Sequence, residues 1–223
     1  MPFRDRREAG QRLAEALAAY RAQSPVVLAL PRGGVPVALE VSTALAAPLD
    51  LVVARKIGVA FLPELAVGAI ADGSPPVVVR NVEILQALGI REAEFESCAT
   101  VALAELERRR KRYVGDRPPV VLAGRCAIVI DDGMATGATM RAALQATRAR
   151  HPARLVLAVP VAASDTVASM TGEADDVVCL ESHELFGSIG EYYGAFPQVS
   201  DEEVIAALRR SDARTAETRQ PSA

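Results

Sequence analysis

The sequence predicts an α/β protein built on a doubly wound, mostly parallel sheet with helices on its faces. Three observations carry this expectation. Short continuous apolar runs, such as Val26–Leu30 and Ala127–Ile130, alternate with stretches of helical spacing, and strands buried on both faces read as such runs. The strand, helix, strand succession between Val26 and Ala54 has the spacing of a βαβ unit, which implies parallel pairing. The segment Ala127–Thr139 joins a buried strand to a helix through a tight loop of Gly, Ala and Thr.

Taken in order, Asp5 and Glu8 form a capping box, and Ala9, Leu13, Ala16, Leu17 and Tyr20 give the apolar side of a first helix. Pro25 ends that region. Val26–Leu30 reads as a buried strand, Val35–Ala46 as a helix and Leu51–Ala54 as the second strand. Leu65–Ile70 and Val77–Arg80 are candidate strands around the turn Gly73-Ser74-Pro75-Pro76. From Asn81 the pattern is helical, and Glu92–Tyr113 is long, amphipathic and ends in the basic run Arg108–Arg112. The helix after Thr139 runs to about Arg150, where His151-Pro152 stops it. Leu155–Val159 and Val177–Leu180 are strands around a helix near Ser164–Met170, and Glu202–Arg210 is a last short helix. Ser211–Ala223 is polar without an apolar period and is expected to be disordered. Residues 1–210 thus form one domain, with a core over about 24–182, a helical excursion over about 82–115 and flanking segments 1–22 and 183–210.

Composition narrows the partners. The chain has 223 residues, half of them hydrophobic and 4% aromatic, with a formal net charge of −3, and its pI is near 5.6. That size supports a sizeable core. No basic excess points to nucleic acid or an anionic membrane. Cys98, Cys126 and Cys179 match no metal spacing and no disulfide framework, so a reducing compartment is expected. The charged start, Met-Pro-Phe-Arg-Asp-Arg-Arg-Glu, carries no signal-like apolar segment, and no run approaches the length of a membrane span. A cytoplasmic protein follows, with a homodimer as the default assembly.

The chemistry concentrates after Ile130. Asp131 and Asp132 stand at the carboxyl end of the strand, followed by Gly133-Met134-Ala135-Thr136-Gly137-Ala138-Thr139. Amides of such a loop, with the positive end of the next helix, suit a phosphate. Two adjacent carboxylates repel each other and gain nothing locally, so an ordinary solvated turn explains them poorly; they suit hydroxyls or a metal. A P-loop would need a Lys after Gly137, and a dinucleotide fingerprint needs a different glycine spacing. A sugar phosphate fits both halves.

The apolar run, the two acids and the Thr-Gly-x-Thr loop resemble the phosphoribosyl diphosphate (PRPP) signature of the type I phosphoribosyltransferases. The resemblance implies that Asp131 and Asp132 hold the ribose hydroxyls and take part in any metal contact, directly or through those hydroxyls or water. It implies that Ala135, Thr136, Gly137, Ala138 and Thr139 cradle the 5′-phosphate. Pro31-Arg32-Gly33-Gly34 then resembles the family's pyrophosphate loop, with Arg32 as a forked phosphate donor and a non-proline cis peptide at or next to Arg32. Arg55 and Lys56, expected at the end of the second strand, would join Arg32, Gly33 and Gly34 on the pyrophosphate, with a mobile loop over about Ile57–Gly68 behind them. The default for Arg108–Arg112 is a solvated helix face, with an anion-binding role, from a neighbouring subunit, as the second reading.

The resemblance also implies a small acceptor-binding hood, here Met1–Tyr20 with Glu184–Arg210. Phe186, Tyr192 and Tyr193, with Glu64 from the mobile loop, are its candidate acceptor contacts, although such aromatics are more often core. The expected activity is transfer of the phosphoribosyl group of PRPP, with Mg²⁺, to a small acceptor such as a nitrogenous base. Two other classes stay open: a binding protein that senses PRPP or a nucleotide, and a metal-dependent phosphate hydrolase using Asp131 and Asp132.

Overall fold

The structure, a computed structural model, describes residues 2–59, 62–73, 75–115 and 117–219; the side chains of 62–65 and 215–219 lie outside that description. It opens with α1 (Arg6–Ala16), capped by Asp5, whose carboxylate accepts the Glu8 amide at 2.8 Å. The return half of the capping box is shifted by one residue, because Glu8 accepts the Arg4 amide at 2.6 Å. There follow β1 (Val26–Ala29), α2 (Gly34–Ala44), β2 (Leu49–Leu51), β3 (Ala54–Val59), β4 (Leu62–Ala71), β5 (Val77–Arg80), α3 (Val82–Ala87) and α4 (Glu92–Val114). The second half holds β6 (Cys126–Ile130), α5 (Ala138–Arg148), β7 (Arg154–Ala163), α6 (Ser164–Ser169), β8 (Asp176–His183), a 3-10 turn at Ile189–Tyr192 and α7 (Asp201–Arg219).

Five strands form a parallel sheet in the order β2-β1-β6-β7-β8. The chain builds outward from β1 to β2, then from β6 through β7 to β8, so the order reverses between β1 and β6. Ligand crevices of open α/β sheets form at the carboxyl ends of strands beside such a reversal. Alternation along β1 sends Val27 and Ala29 into a core layer shared with α1, α2 and α4, and Val26 and Leu28 into a layer shared with Met140, Leu144 and Met170.

Two expectations are corrected between the sheet and α4. The second strand is Leu49–Leu51 rather than Leu51–Ala54, and Arg55 and Lys56 do not close it. They lie inside β3, which belongs to a separate antiparallel sheet β3-β4-β5. The chain leaves the parallel sheet at Val52, whose amide still donates to Ala29 O at 3.1 Å, and Val53 and Asp72 then pair with each other. A hairpin satisfies this ladder locally, where a further parallel strand would need a long crossover. The stretch expected as a mobile loop over Ile57–Gly68 is largely this hairpin, irregular around Gly58, with residues 60 and 61 outside the described residues.

Over 211–219 the expected disorder is also corrected, since α7 continues to Arg219. Val204, Ala207, Leu208 and Ser211 form one buried stripe. Ser211 Oγ accepts the Leu49 amide at 3.1 Å, and Arg214 donates to Ser42 Oγ at 2.5 Å and to Ala47 O at 3.1 Å. Polar anchoring holds this helix where hydropathy showed no period. Residues 220–223 lie outside the described residues.

The flanking segments meet over the carboxyl end of the sheet. Phe3 N donates to Tyr192 O at 2.8 Å, Gly194 N to Phe3 O at 2.7 Å and Ala195 N to Arg4 O at 2.9 Å. Phe3, Ala9, Val161 and Tyr193 form a small core there. All three thiols are unbridged, and burial pushes those of Cys126 and Cys179 up to about 11, consistent with packing rather than reactivity. Among the described residues, no helix is long and apolar enough to cross a membrane.

Candidate active site

Parallel pairing of β1 with β6 aligns Ala29 with Ile130, and Leu30 N donates to Ile130 O at 2.9 Å. The two following loops therefore emerge side by side. Glycine makes their contact possible. A Cβ on Gly33 would stand 2.1 Å from Asp132 Oδ2, and one on Gly34 would stand 2.7 Å from Ile130 O. No side chain fits at either place, so the Arg32 loop lies directly on the acid pair. The Pro31–Arg32 peptide is cis.

The two acids differ in their surroundings. Asp132 is buried, and its Oδ2 accepts Arg6 Nε at 2.7 Å. Arg6 also donates to Pro197 O at 2.7 Å and lies 3.6 Å over the Phe196 ring. Tyr193 OH donates to Asp132 O at 2.5 Å. Asp131 Oδ1 accepts the Asp132 amide at 2.9 Å. Burial first, and then the charge of Asp132, pushes the Asp131 carboxyl well above the ordinary carboxylate range. Burial also raises Asp132, with Arg6 opposing that rise. Among the described residues the pair thus holds one acid ion-paired to Arg6 and one that makes no ion pair of its own, an unbalanced negative charge that a ligand's hydroxyls or a cation can relieve.

Magnesium prefers oxygen ligands and is commonly bound through one or two carboxylates plus substrate phosphates and water. Asp131 and Asp132 fit that role only as part of a shared set, because no group of three metal-ligating side chains occurs among the described residues. An ion here would draw its other ligands from the substrate and water.

The phosphate-binding candidate follows. Met134 bridges to Ala162 of β7: its amide donates to Val161 O at 2.9 Å, and its carbonyl accepts Ala163 N at 3.1 Å. Thr166 Oγ1 donates to Ala135 O at 2.5 Å. Gly137 has φ +71°, and a Cβ there would stand 2.4 Å from Met170 Cε. These contacts fix the loop from behind. Its amides lead into α5 at Ala138, and the first amides of a helix have no intrahelical acceptor.

The family model for the phosphoribosyl transferase domain matches residues 5–191, a span that includes both loops and the acid pair. The chain belongs to the phosphoribosyl transferase family. A Mycobacterium tuberculosis H37Rv protein provisionally named a phosphoribosyl transferase is 47% identical over 209 residues. That alignment covers 94% of this chain and 47% of the relative, so the chain spans about half the length of the curated relatives it matches. The structure of the protein TT1426 from Thermus thermophilus is 42% identical, with a TM-score of 0.80 over 94% of this chain and 99% of that one. A hypothetical protein from Neisseria gonorrhoeae, 13% identical with a TM-score of 0.50, shares the fold.

Against the phosphoribosyl transferase expectations, Arg55 and Lys56 part company. Successive strand residues face opposite ways. Arg55 turns to α4, with Nη1 3.6 Å from Glu105. Lys56 is exposed on the other face, the side on which Ala54 and Ala69 pack toward Ala142 and Ala146 of α5. Arg32 Nη1 lies 3.7 Å from Asp201 Oδ1 at the start of α7.

The acceptor candidates divide in the same way. Tyr193 is buried beneath the acid pair and offers no open ring face; it supports Asp132 instead. Phe186 stacks on Tyr192 with centroids 4.9 Å apart, and Tyr192 packs on His183 at 4.5 Å. The side chain of Glu64 lies outside the described residues. Sequence reasoning missed Arg6 as a partner of Asp132. The available signal was positional: Arg6 heads the same helical stripe as Ala9, Gly10, Leu13 and Leu17, so it had to point inward.

Proposed function

We propose that this chain binds PRPP and transfers its phosphoribosyl group to a small acceptor, with release of pyrophosphate. The observation that carries this is the contact of Gly33 with Asp132, which joins an anion loop to an acid pair at the reversal of strand order. In this reading the ribose 5-phosphate sits on the amides of Ala135–Thr139, and Asp131 accepts from the ribose hydroxyls beside Asp132. Arg32 and Arg55 stabilise the diphosphate.

The acceptor's nucleophilic atom, a nitrogen in the case of a base, forms a bond to C1′ of the ribose. The C1′–O bond breaks, and diphosphate leaves with the electron pair. Charge builds up positively on the ring and negatively on the leaving group. Fixed donors aimed at such developing charge contribute about 3–4 kcal/mol each to barrier lowering, and held geometry supplies more. Asp131 and Asp132 favour the cationic ring. Magnesium, when bound with the substrate, supplies further charge neutralisation at the diphosphate. Nothing in this step needs a covalent enzyme intermediate.

The test is pyrophosphate release from PRPP and Mg²⁺ with a panel of nitrogenous bases, alongside calorimetry of PRPP binding. Turnover that disappears in Asp131→Asn and Asp132→Asn supports transfer. Tight PRPP binding with no release against any acceptor marks a sensor instead. No PRPP binding at all overturns the assignment.

A further inference from the structure

The basic run near the end of α4 does not stay on one solvated face. Arg110 turns to Asp72 at 3.3 Å. Arg108, Arg109 and Arg112 line another side together with Glu105, at the i, i+3, i+4 and i+7 spacing that brings helix residues onto one face. That stripe meets the two arginines that the PRPP reading assigns to the diphosphate, Arg32 and Arg55. Glu105 bridges Arg55 at 3.6 Å, Arg108 at 2.8 Å and Arg109 at 2.9 Å. Asp201 bridges Arg32 at 3.7 Å and Arg112 at 2.8 Å, and accepts Tyr113 OH at 2.7 Å. Glu202 reaches Arg112 at 3.0 Å from the rim.

Five guanidinium groups therefore share three carboxylates, in a protein whose overall charge is negative. Arg32, Arg55, Arg109 and Arg112 keep between 33% and 46% of their side-chain surface open. Half-exposed ion pairs are weak, so a multivalent anion can replace the carboxylates cheaply. Planar guanidiniums fork onto phosphate oxygens as readily as onto carboxylates.

We infer that Arg109 and Arg112 of α4 extend the diphosphate-binding end of the site beyond Arg32 and Arg55, with Glu105 and Asp201 as internal competitors that the bound diphosphate displaces. This rests on the PRPP reading above. It gives the helical excursion an anion-binding role within its own chain, where the charge run by itself makes a solvated helix face the default.

Isothermal titration of the full chain with magnesium pyrophosphate and, separately, with ribose 5-phosphate tests it. Arg109→Gln with Arg112→Gln is expected to weaken pyrophosphate at least 10-fold and to leave ribose 5-phosphate within 2-fold. The paired lysine variant, which keeps charge and loses the fork, is expected to fall between, and Asp201→Asn to tighten pyrophosphate several-fold. Unchanged pyrophosphate affinity in both double variants, with ribose 5-phosphate still bound, overturns this inference alone. A wild-type chain that binds neither ligand overturns the PRPP reading and this inference with it.

Discussion

Arg6 Nε stands 2.7 Å from Asp132 Oδ2, an ion pair that spans 126 residues of sequence and is almost closed to solvent. Removing one partner of a buried pair leaves the other charge uncompensated, at a cost of about 3–5 kcal/mol. Arg6→Met should therefore lower the urea midpoint markedly and leave the denaturant slope unchanged. A loss below about 1 kcal/mol would show that Asp132 does not depend on Arg6.

Asp131→Asn should act in opposite directions on activity and stability. The folded-state pKa of Asp131 is raised, so the folded protein holds that proton more tightly than the unfolded chain. Such a group adds no penalty at acid pH and destabilises progressively as pH rises through its folded value. Asparagine removes the penalty. Turnover should be lost, while the melting temperature at neutral pH rises. The gain should shrink toward acid pH, and a loss of stability at neutral pH would contradict this account of Asp131.

Gly33→Ala tests the contact between the two loops. Its Cβ would meet the Asp132 carboxylate at 2.1 Å, so one of the two must move. Overpacking of this kind costs about 1–3 kcal/mol, and PRPP affinity should fall at least 10-fold in calorimetry. Wild-type affinity in this variant would mean that the loop position does not matter for binding.

Tyr193→Phe removes only the hydroxyl that donates to Asp132 O. A single net hydrogen bond is worth about 0.5–1.5 kcal/mol. Stability should drop by that amount, with a larger proportional loss in kcat than in KM if Tyr193 aligns the acid pair. A change in acceptor preference instead would return Tyr193 to the acceptor site.

The site was unevenly legible in the sequence. Asp131, Asp132 and the Thr136–Thr139 loop were readable because their chemistry is written in consecutive residues. Arg32 and its glycines were readable once the loop was known, since a Gly-Gly pair after a strand signals close backbone approach. Arg55 and Lys56 read as the end of the second strand because Val52-Val53-Ala54 continues the apolar pattern of β2 without a turn residue. Hydropathy alone could not mark where the chain changed sheets. The extension of α7 was hidden for a related reason, as Ser211 and Arg214 are anchored by hydrogen bonds that hydropathy cannot see.

Local order along the chain set the alternation of strands and helices, the phosphate loop and the acid pair, because each depends on neighbours a few residues apart. Only the tertiary structure decided which distant groups meet them: Arg6 on Asp132, Tyr193 on its carbonyl, and Arg112 beside Arg32 through Asp201. Those pairings follow from how α1, α4 and α7 pack around the sheet. Packing of that kind is settled by shape and burial over the whole chain, which no short window of sequence contains.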